Sequence, residues 1–461
     1  MLPPGPPTIP FLGNLNLDMS DMMILFRDLR KRYGDIFSLI LGKRTVIVVC
    51  GIDKLHEVLV KHGDSTSDRP AAFWFKDVFL QAGVGSSNGK QWKELRTTTI
   101  KALRDQGVGK KEIETRILEE VEVFLERIQD TAGKPFNIKN LTNISISNVV
   151  CSITFGERHD HTDKDFIKLT NLIDDLLSHP YSIGLLMFLP VLQYFPLDPF
   201  GAKKMKRYAS CIREHCRKVL EAHRKSFNSD EIRDVVDLLI EKQNVYGTSE
   251  ESAFSDAMVI QTLSDLLIGG TDTTVTTLRW FYLFMIKYPE VQARMRDEIM
   301  ATIGRNRPIT IRDRAHLHYC EAVINETLRL GNIGPFSLPH MVSQDFMLDD
   351  YLIPKGAIIM PSLDSVHFDS NHFDDADKFD PLRFLDEKGE LTKMKDIMPF
   401  STGRRSCIGE SLARVELFLF TTNLLQSFEL LPETDTTDPS LEYKLGVTHG
   451  PKPYLIRAIP L

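Results

Sequence analysis

Between Phe254 and Ile286 apolar residues recur at helical spacing with no proline to interrupt them, and this stretch constrains the fold more than any other. At about 1.5 Å of rise per residue it makes a helix long enough to cross a whole domain, so the remaining elements have to pack around it. Its middle is unusual: Gly269-Gly270-Thr271-Asp272-Thr273-Thr274 places two glycines where each costs about 1 kcal/mol against alanine. Something must therefore approach the backbone there. One reading is a small-residue notch that packs another helix. The other is a chemical site, in which Thr273 bonds back to a carbonyl one turn earlier and deforms the helix, while Asp272 supplies an ionisable partner for a proton relay.

Helical periodicity also covers Lys110 to Gln129, Asp163 to Leu177 and Ala202 to Phe227, with shorter helices at Ile24 to Tyr33, Val291 to Ile303 and Cys320 to Leu330. The alternating, β-branched run Ile36 to Val49 predicts a hairpin turning at Leu41-Gly42-Lys43-Arg44. Beyond Leu330, Pro335, Pro339, Pro354 and Pro361 break the chain into extended pieces and turns. A length of 461 residues suggests about three ordinary domains, yet no linker divides this chain. The expected architecture is one mainly α domain with a small β region near the N-terminus. The opening Met1-Leu2-Pro3-Pro4-Gly5-Pro6-Pro7 is stiff and cannot start a helix or central strand, so residues 1–15 read as a proline-rich hinge and residues 16–461 as the folded domain.

A hydrophobic fraction of 42% with 26% charged residues suits a globular chain that buries a large core and a big cofactor. The net charge of −7 argues against general nucleic-acid binding. Six cysteines lie scattered without a Cys-x-x-Cys pair, which favours a reducing compartment. The glycosylation-type triplets at Asn140, Asn143 and Asn325 are expected to be unmodified. No apolar run approaches the roughly 18 residues needed to span a bilayer and no secretory signal is present, so the chain as it stands is expected to be largely soluble.

The stretch Phe400-Ser-Thr-Gly403-Arg404-Arg405-Ser-Cys407-Ile-Gly409 fixes one cysteine among glycines, a phenylalanine and basic residues just ahead of a helix through Ser411 to Arg414. A thiolate axial ligand pushes electron density onto haem iron and favours O–O cleavage. Gly403 is expected to take a positive φ, and Gly409 to let the backbone lie close to a porphyrin face, neither site tolerating a large side chain. Backbone N–H groups at the helix start can stabilise the thiolate. Phe400 would shield it, and Arg405 would pair with a haem propionate. A buried cysteine in an Arg/Gly turn is the bland alternative.

These residues match, position by position, the Phe-x-x-Gly-x-Arg-x-Cys-x-Gly pattern of the cytochrome P-450 superfamily, which the chain resembles from about Pro3 to its C-terminus, most closely the microsomal family-2 group. Gly269-Gly270-Thr271-Asp272-Thr273 resembles that superfamily's oxygen-activation motif. The resemblance implies the cytochrome P-450 fold around a buried haem b, with Cys407 as the iron ligand and Thr273 and Asp272 as the catalytic proton relay. Trp92 and Arg96, in the family's Trp-x-x-x-Arg, are implied propionate partners, as are Arg69 and His340. Thr97 stands where mammalian relatives usually carry a second basic residue. Glu326 and Arg329, three apart on one helix face, match Glu-x-x-Arg; with Arg383 of Phe379-Asp380-Pro381-Leu382-Arg383-Phe384 they imply a structural clamp behind the cysteine loop.

The same resemblance implies a monooxygenase that draws electrons from NADPH through a flavoprotein reductase, with cytochrome b5 as a further partner and O2 and a lipophilic molecule as substrates. Its substrate pocket takes in Val84, Gly269, Leu338 and Val447, near the aromatic cluster Phe73, Trp74, Phe75 and Phe79, the run Tyr181 to Leu192 and the stretch Gly334 to Leu338. No buried charge stands out there, so an uncharged substrate is expected. The run Ile183 to Leu189 is expected to dip into a membrane surface. In microsomal relatives a proline-rich start follows an anchor helix, which places such a protein on the cytoplasmic face of the endoplasmic reticulum and suggests a removed anchor. Lys90, Lys93, Lys101, Arg104, Lys110 and Lys111 form a basic patch suited to an acidic reductase, or simply a solvated face. An isomerase or dehydratase on the same fold and a haem- or lipophile-binding protein without turnover stay open as alternatives. The group His316, His318 and Cys320 lacks a fourth ligand and is a poor zinc site; His367 and His372 read as turn or surface residues.

Overall fold

The computed structural model describes residues 1–10, 13–107, 111–178 and 180–461, with side chains for all of these except 111, 112 and 180–183. The long apolar pattern forms one helix, Asp256–Lys287, started by Ser255, whose hydroxyl accepts the Met258 N–H. It is the axis of the molecule: helices Ile138–Thr154, Ala202–Ser226, His318–Gly331 and Glu410–Ser427 all pack against it. Leu263, Leu267, Leu278, Phe281 and Met285 carry its buried side into the main core.

Helix Ile138–Thr154 leaves no amphipathic signal in the sequence, because it is buried nearly all round. Asn143, Ser145, Ser147 and Asn148 lie inside along with Ile146 and Val149, so the polar residues that normally mark a solvent face are absent from one. Its close crossing with the central helix depends on Gly270, where an added Cβ would lie 2.8 Å from Val150 Cγ2. Helices Lys164–Leu177 and Ala202–Ser226 begin and end within a residue of expectation; Asp163 caps the first by accepting from the N–H groups of Asp165 and Phe166.

The hairpin pairs strands Ile36–Leu41 and Arg44–Val49 in antiparallel register. Two distant strands complete this sheet, Ile358–Pro361 parallel to Arg44–Val49 and His340–Met341 antiparallel to Ile358–Pro361. The proline-rich start is docked along this sheet: Pro4 O accepts the Ser38 N–H at 2.8 Å and Pro3 O accepts its hydroxyl at 2.7 Å. A Cβ on Gly5 would stand 2.0 Å from Ser38 O, so this approach requires glycine. Further along the same segment, Asn14 Nδ2 donates to Pro7 O at 3.0 Å and Asn14 N to Ile40 O at 2.6 Å.

All six cysteines are free. In the run expected to meet a membrane, Leu186, Met187 and Phe188 are buried, and Ile183 lies outside the described side chains. The exposed apolar residues follow it instead: Val191, Tyr194, Phe195 and Leu197, the last 99% exposed. No helix among the described residues is long and apolar enough to cross a membrane.

His223, Asp234 and Asp237 form the one group of three metal-type side chains among the described residues. The His223 ring has no lone pair for a cation, since Nδ1 lies 2.9 Å from Val219 O and Nε2 2.9 Å from Asp234 Oδ2, both acceptors. Burial alone would lower its pKa, but Asp234 and the Val219 carbonyl outweigh burial and raise it, so the ring is an imidazolium clamp. A raised folded pKa gives stability that is complete below the unfolded value of about 6.5 and lost as pH climbs through the folded one. Relative to His223→Gln, the wild-type melting temperature should therefore fall as pH rises above about 6.5; parallel curves would refute the charged ring.

Candidate active site

The helix Glu410–Ser427 begins just beyond Cys407, and the loop before it is held from within. Cys407 N donates to Phe400 O at 3.0 Å, and Ser401 N donates to Met398 O at 3.0 Å. Gly403 has φ +77°, and a Cβ there would meet Leu59 O at 2.1 Å, so no side chain fits. At Gly409 the protein is less crowded. A Cβ at Gly409 would meet only Cys407 Sγ, at 3.9 Å, an ordinary contact, so the protein itself does not demand glycine there. The Cys407 side chain is accessible although protein surrounds it on most sides. That surrounding raises its pKa, while the N–H groups of Gly409 and Glu410 and the Arg96 charge pull it down. Phe400 stacks under the Arg414 guanidinium, 4.9 Å from ring to charge.

Three guanidinium groups converge beside this loop. Arg69 is buried, giving Nη1 to Leu338 O at 2.7 Å and Pro339 O at 2.9 Å. Arg405 is buried, donating to the carbonyls of Ser67 and Ser87 and stacking 3.7 Å over Trp92. Arg96 is half-buried and reaches Ser406 O at 2.6 Å. None of the three has a carboxylate partner among the described ion pairs. Burial and the Arg96 charge push Arg69 down to about 9; burial with Arg69 and Arg96 pushes Arg405 down to about 8. Two polar atoms nearby have no partner, Trp92 Nε1 and His340 Nε2. Burial and Arg69 hold His340 well below its usual pKa, and its Nδ1 donates to Thr66 O at 2.6 Å. Repelling buried cations beside an unpaired N–H are costly, and an anion with several acceptor oxygens relieves the repulsion and pairs the Trp92 donor. The two carboxylates of a haem b fit this donor set. With Nδ1 donating to Thr66 O, His340 Nε2 would pair with a carboxylate only as the N–H of a protonated ring.

On the central helix, Thr273 Oγ1 donates to Gly269 O at 2.7 Å, the back-bond expected of it. The two glycines have separate jobs. Gly270 makes room for Val150, whereas a Cβ on Gly269 would meet nothing within 4 Å. Asp272 accepts from Thr448 Oγ1 at 2.6 Å. Burial, with Asp174 adding, pushes its pKa up to about 6 against the pull of Thr448, Lys139 and Arg279. It stands in the wall of a polar cavity of about 240 Å³ whose lining includes the Lys139–Asp174 ion pair, 2.6 Å across.

Two buried acids carry too little sequence signal to be picked out from the chain alone. Glu416 accepts from Thr274 Oγ1 at 3.2 Å, its Oε1 has no partner, and burial pushes its pKa up to about 8. Its signal is a lone charge inside the apolar run Val415 to Phe420. Asp265 accepts the Gly85 N–H at 2.8 Å and Gln261 Nε2 at 2.8 Å, and burial pushes it up to about 7. It ties the turn bearing Val84 to the central helix, so buried ionisable groups do adjoin the pocket segment. An apolar cavity of about 250 Å³ is lined by Trp74, Phe75, Phe188, Phe336, Leu338 and Val447. Val84 and Gly269 are not among its walls, and Phe73 and Phe79 are core residues.

Glu326 and Arg329 form a bidentate pair, Nε–Oε2 2.6 Å and Nη2–Oε1 2.7 Å, and Arg383 Nε adds 3.2 Å to Oε1. Glu326 and Arg329 are fully buried and Arg383 partly so, with Arg329 also donating to His367 O, Ala376 O and Lys378 O. His367 is 1% exposed, so it is a core residue, contrary to its reading as a turn or surface group; His372 is exposed. His318 spends its ring on Ala315 O at 2.8 Å and Gly389 O at 3.3 Å, which leaves no zinc ligand set with Cys320.

The family model for Cytochrome P450 matches residues 3–458. Among similar proteins, cytochrome P450 2H2 of Gallus gallus is 38% identical over 463 residues, covering 99% of this chain and 93% of that protein. Cytochrome P450 2F2 of Mus musculus and cytochrome P450 2B2 of Rattus norvegicus are each 37% identical, each covering 98% of this chain and 93% of the relative. With a match of this extent, the chain belongs to the cytochrome P450 family, as a haem b-binding oxidoreductase of the monooxygenase type related to its microsomal family-2 members.

Proposed function

We propose that this monooxygenase oxidises a lipophilic, largely uncharged small molecule, with Cys407 as iron ligand and electrons from NADPH delivered by a flavoprotein reductase. The observation that supports the assignment of the site is the cluster of Arg69, Arg96 and Arg405 beside Cys407, three cations without a carboxylate partner in the described protein. When bound, haem b supplies the activation of dioxygen and the transfer of one oxygen atom to a C–H or C=C bond. The chain's part is to hold its carboxylates through Arg69, Arg96, Trp92 and His340. Arg405 acts mainly as organiser, since its donors already serve the carbonyls of Ser67, Val84 and Ser87. The apolar walls Trp74, Phe75, Phe336 and Val447 exclude water and admit hydrocarbon.

Thr273 and Asp272 manage protons. The Thr273 hydroxyl donates to Gly269 O, so its own oxygen is left to accept from a water or donate onward after rotation. Asp272, poised near pH 6 beside a polar cavity, can exchange protons with solvent and reload the hydroxyl side. Membrane contact at the endoplasmic reticulum is proposed through Val191, Tyr194, Phe195 and Leu197, which lie exposed next to the helix Pro180–Phe188. On helix Gly89–Asp105, Lys90, Lys93, Lys101 and Arg104 are exposed and offer an acidic reductase, or cytochrome b5, a basic landing surface; Lys110 and the Lys111 side chain lie outside the described residues.

Reconstituted with reductase and NADPH, the holoenzyme should incorporate label from ¹⁸O2 into product and show the red-shifted ferrous carbon monoxide band of thiolate ligation, and Cys407→His should remove that band. A band at the same position in Cys407→His would displace the cysteine from its role. Thr273→Ala should keep substrate binding and NADPH oxidation but divert most of the electrons to hydrogen peroxide; unchanged coupling sinks the relay. Reversing Lys93 and Arg104 to Glu should weaken reductase binding about tenfold at low ionic strength and much less at high salt. Salt-independent binding unaffected by both reversals would mean that the reductase docks elsewhere.

A further inference from the structure

His367 sits in the core, although its sequence neighbours suggest a surface turn, and both its ring nitrogens are used. Nδ1 lies 2.9 Å from Asn332 Oδ1, and Nε2 lies 3.2 Å from the Met398 backbone N–H. The direction of each bond is fixed by the partners further along. Asn332 Nδ2 donates to Asp364 Oδ1 at 2.9 Å, which turns the amide oxygen toward His367. Asp364 in turn is gripped by Arg27 through two bonds of 2.7 Å. The chain Arg27–Asp364–Asn332–His367–Met398 therefore has one consistent sense, with Nδ1–H donating and the Nε2 lone pair accepting.

We infer that His367 is a positioning residue for the cysteine loop: by accepting the Met398 N–H it fixes the entry of the segment from which Cys407 is hung. Met398 O accepts from Ser401 N, and Phe400 O accepts from Cys407 N, so a displacement of Met398 is passed along the loop to the sulfur. On another side Met398, Phe400, Ser401 and Thr402 border an open groove of about 600 Å³, where Arg414 covers Phe400 but no described side chain other than His367 is bonded to the Met398 N–H. His367 can restrain Met398 because its backbone is also fixed, its carbonyl accepting Arg329 Nη1 at 2.8 Å in the Glu326–Arg329 pair. The ring thus carries the rigidity of that buried pair to the loop. Burial and the Arg329 charge push the His367 pKa down to about 3, so the lone pair stays available at any pH where the protein works.

The inference rests on Cys407 being the iron ligand, and two amide variants test it separately from that assignment. In His367→Gln the side-chain oxygen can replace Nε2 and accept from Met398. In His367→Asn the shorter side chain can replace only Nδ1 and serve Asn332. Wild-type holoenzyme should show a Met398 amide that exchanges with deuterium as slowly as core helix amides. The Asn variant should speed that exchange about tenfold, the worth of one lost hydrogen bond, and should lose part of the red-shifted ferrous carbon monoxide band; the Gln variant should preserve both. Fast Met398 exchange in the wild type overturns the inference without any variant, and so do Asn and Gln variants that behave alike, since a core-filling role does not distinguish them. A wild type lacking the red-shifted band would instead overturn the ligand assignment itself.

Discussion

The constraint on which most of this structure turns is the burial of Arg69 and Arg405 together, with Arg96 at their edge. Guanidinium groups are rarely enclosed without a counter-charge, because the desolvation cost is several kcal/mol per ion. Here backbone carbonyls absorb part of that cost: those of Gly85, Leu338 and Pro339 for Arg69, and those of Ser67, Val84 and Ser87 for Arg405. These carbonyls come from two distant segments, 67–88 and 338–339, so the cations also tie together the walls of the site. The protein supplies solvation but not neutralisation, which leaves a dianionic cofactor as the natural completion of the charge. Folding and cofactor retention are then coupled through the same side chains.

How far this can be read from the chain varies with the kind of signal. Amphipathic helices such as Lys164–Leu177 are legible to within a residue, since a half-exposed helix writes its period into the sequence. Helix Ile138–Thr154 is invisible there because it has no wet face. Cys407, Gly403, Glu326 and Arg329 are legible as motifs, yet only the structure separates Gly403, forced by Leu59 O, from Gly409, which the protein leaves free. His367 misleads for a different reason. Its neighbours Asp369, Ser370 and Asn371 have the composition of a turn, and nothing local reports that Arg329, Asn332 and Met398 arrive from elsewhere to enclose it.

The central helix combines two demands that the sequence alone presents as alternatives. Gly270 is a packing notch for Val150, as the packing reading expects, whereas a Cβ on Gly269 would meet nothing within 4 Å, which leaves room there for the chemical reading. The close approach at Gly270 also locks the helix against Ile138–Thr154, and this gives the neighbouring turn a fixed frame in which Thr273 can bond to Gly269 O rather than relax.

Three acids on or against that helix titrate at different heights: Asp272 near 6, Asp265 near 7 and Glu416 near 8. Burial raises all three, and each has partners that offset part of it. Asp272 has a hydroxyl and the charges of Lys139 and Arg279 to favour its anion, and it borders a cavity that includes the Lys139–Asp174 pair. Asp265 has two backbone N–H groups and an amide, which hold it in a structural task. Glu416 has only the Thr274 hydroxyl to offset its burial, which pushes it up to about 8. Of the three, only Asp272 combines an ionised fraction that changes near neutrality with a polar route outward, and acids used for proton transfer work best when their pKa lies near the operating pH. Position on the helix next to Thr273 makes Asp272 a candidate; the difference in surroundings is what sets it apart from Asp265 and Glu416.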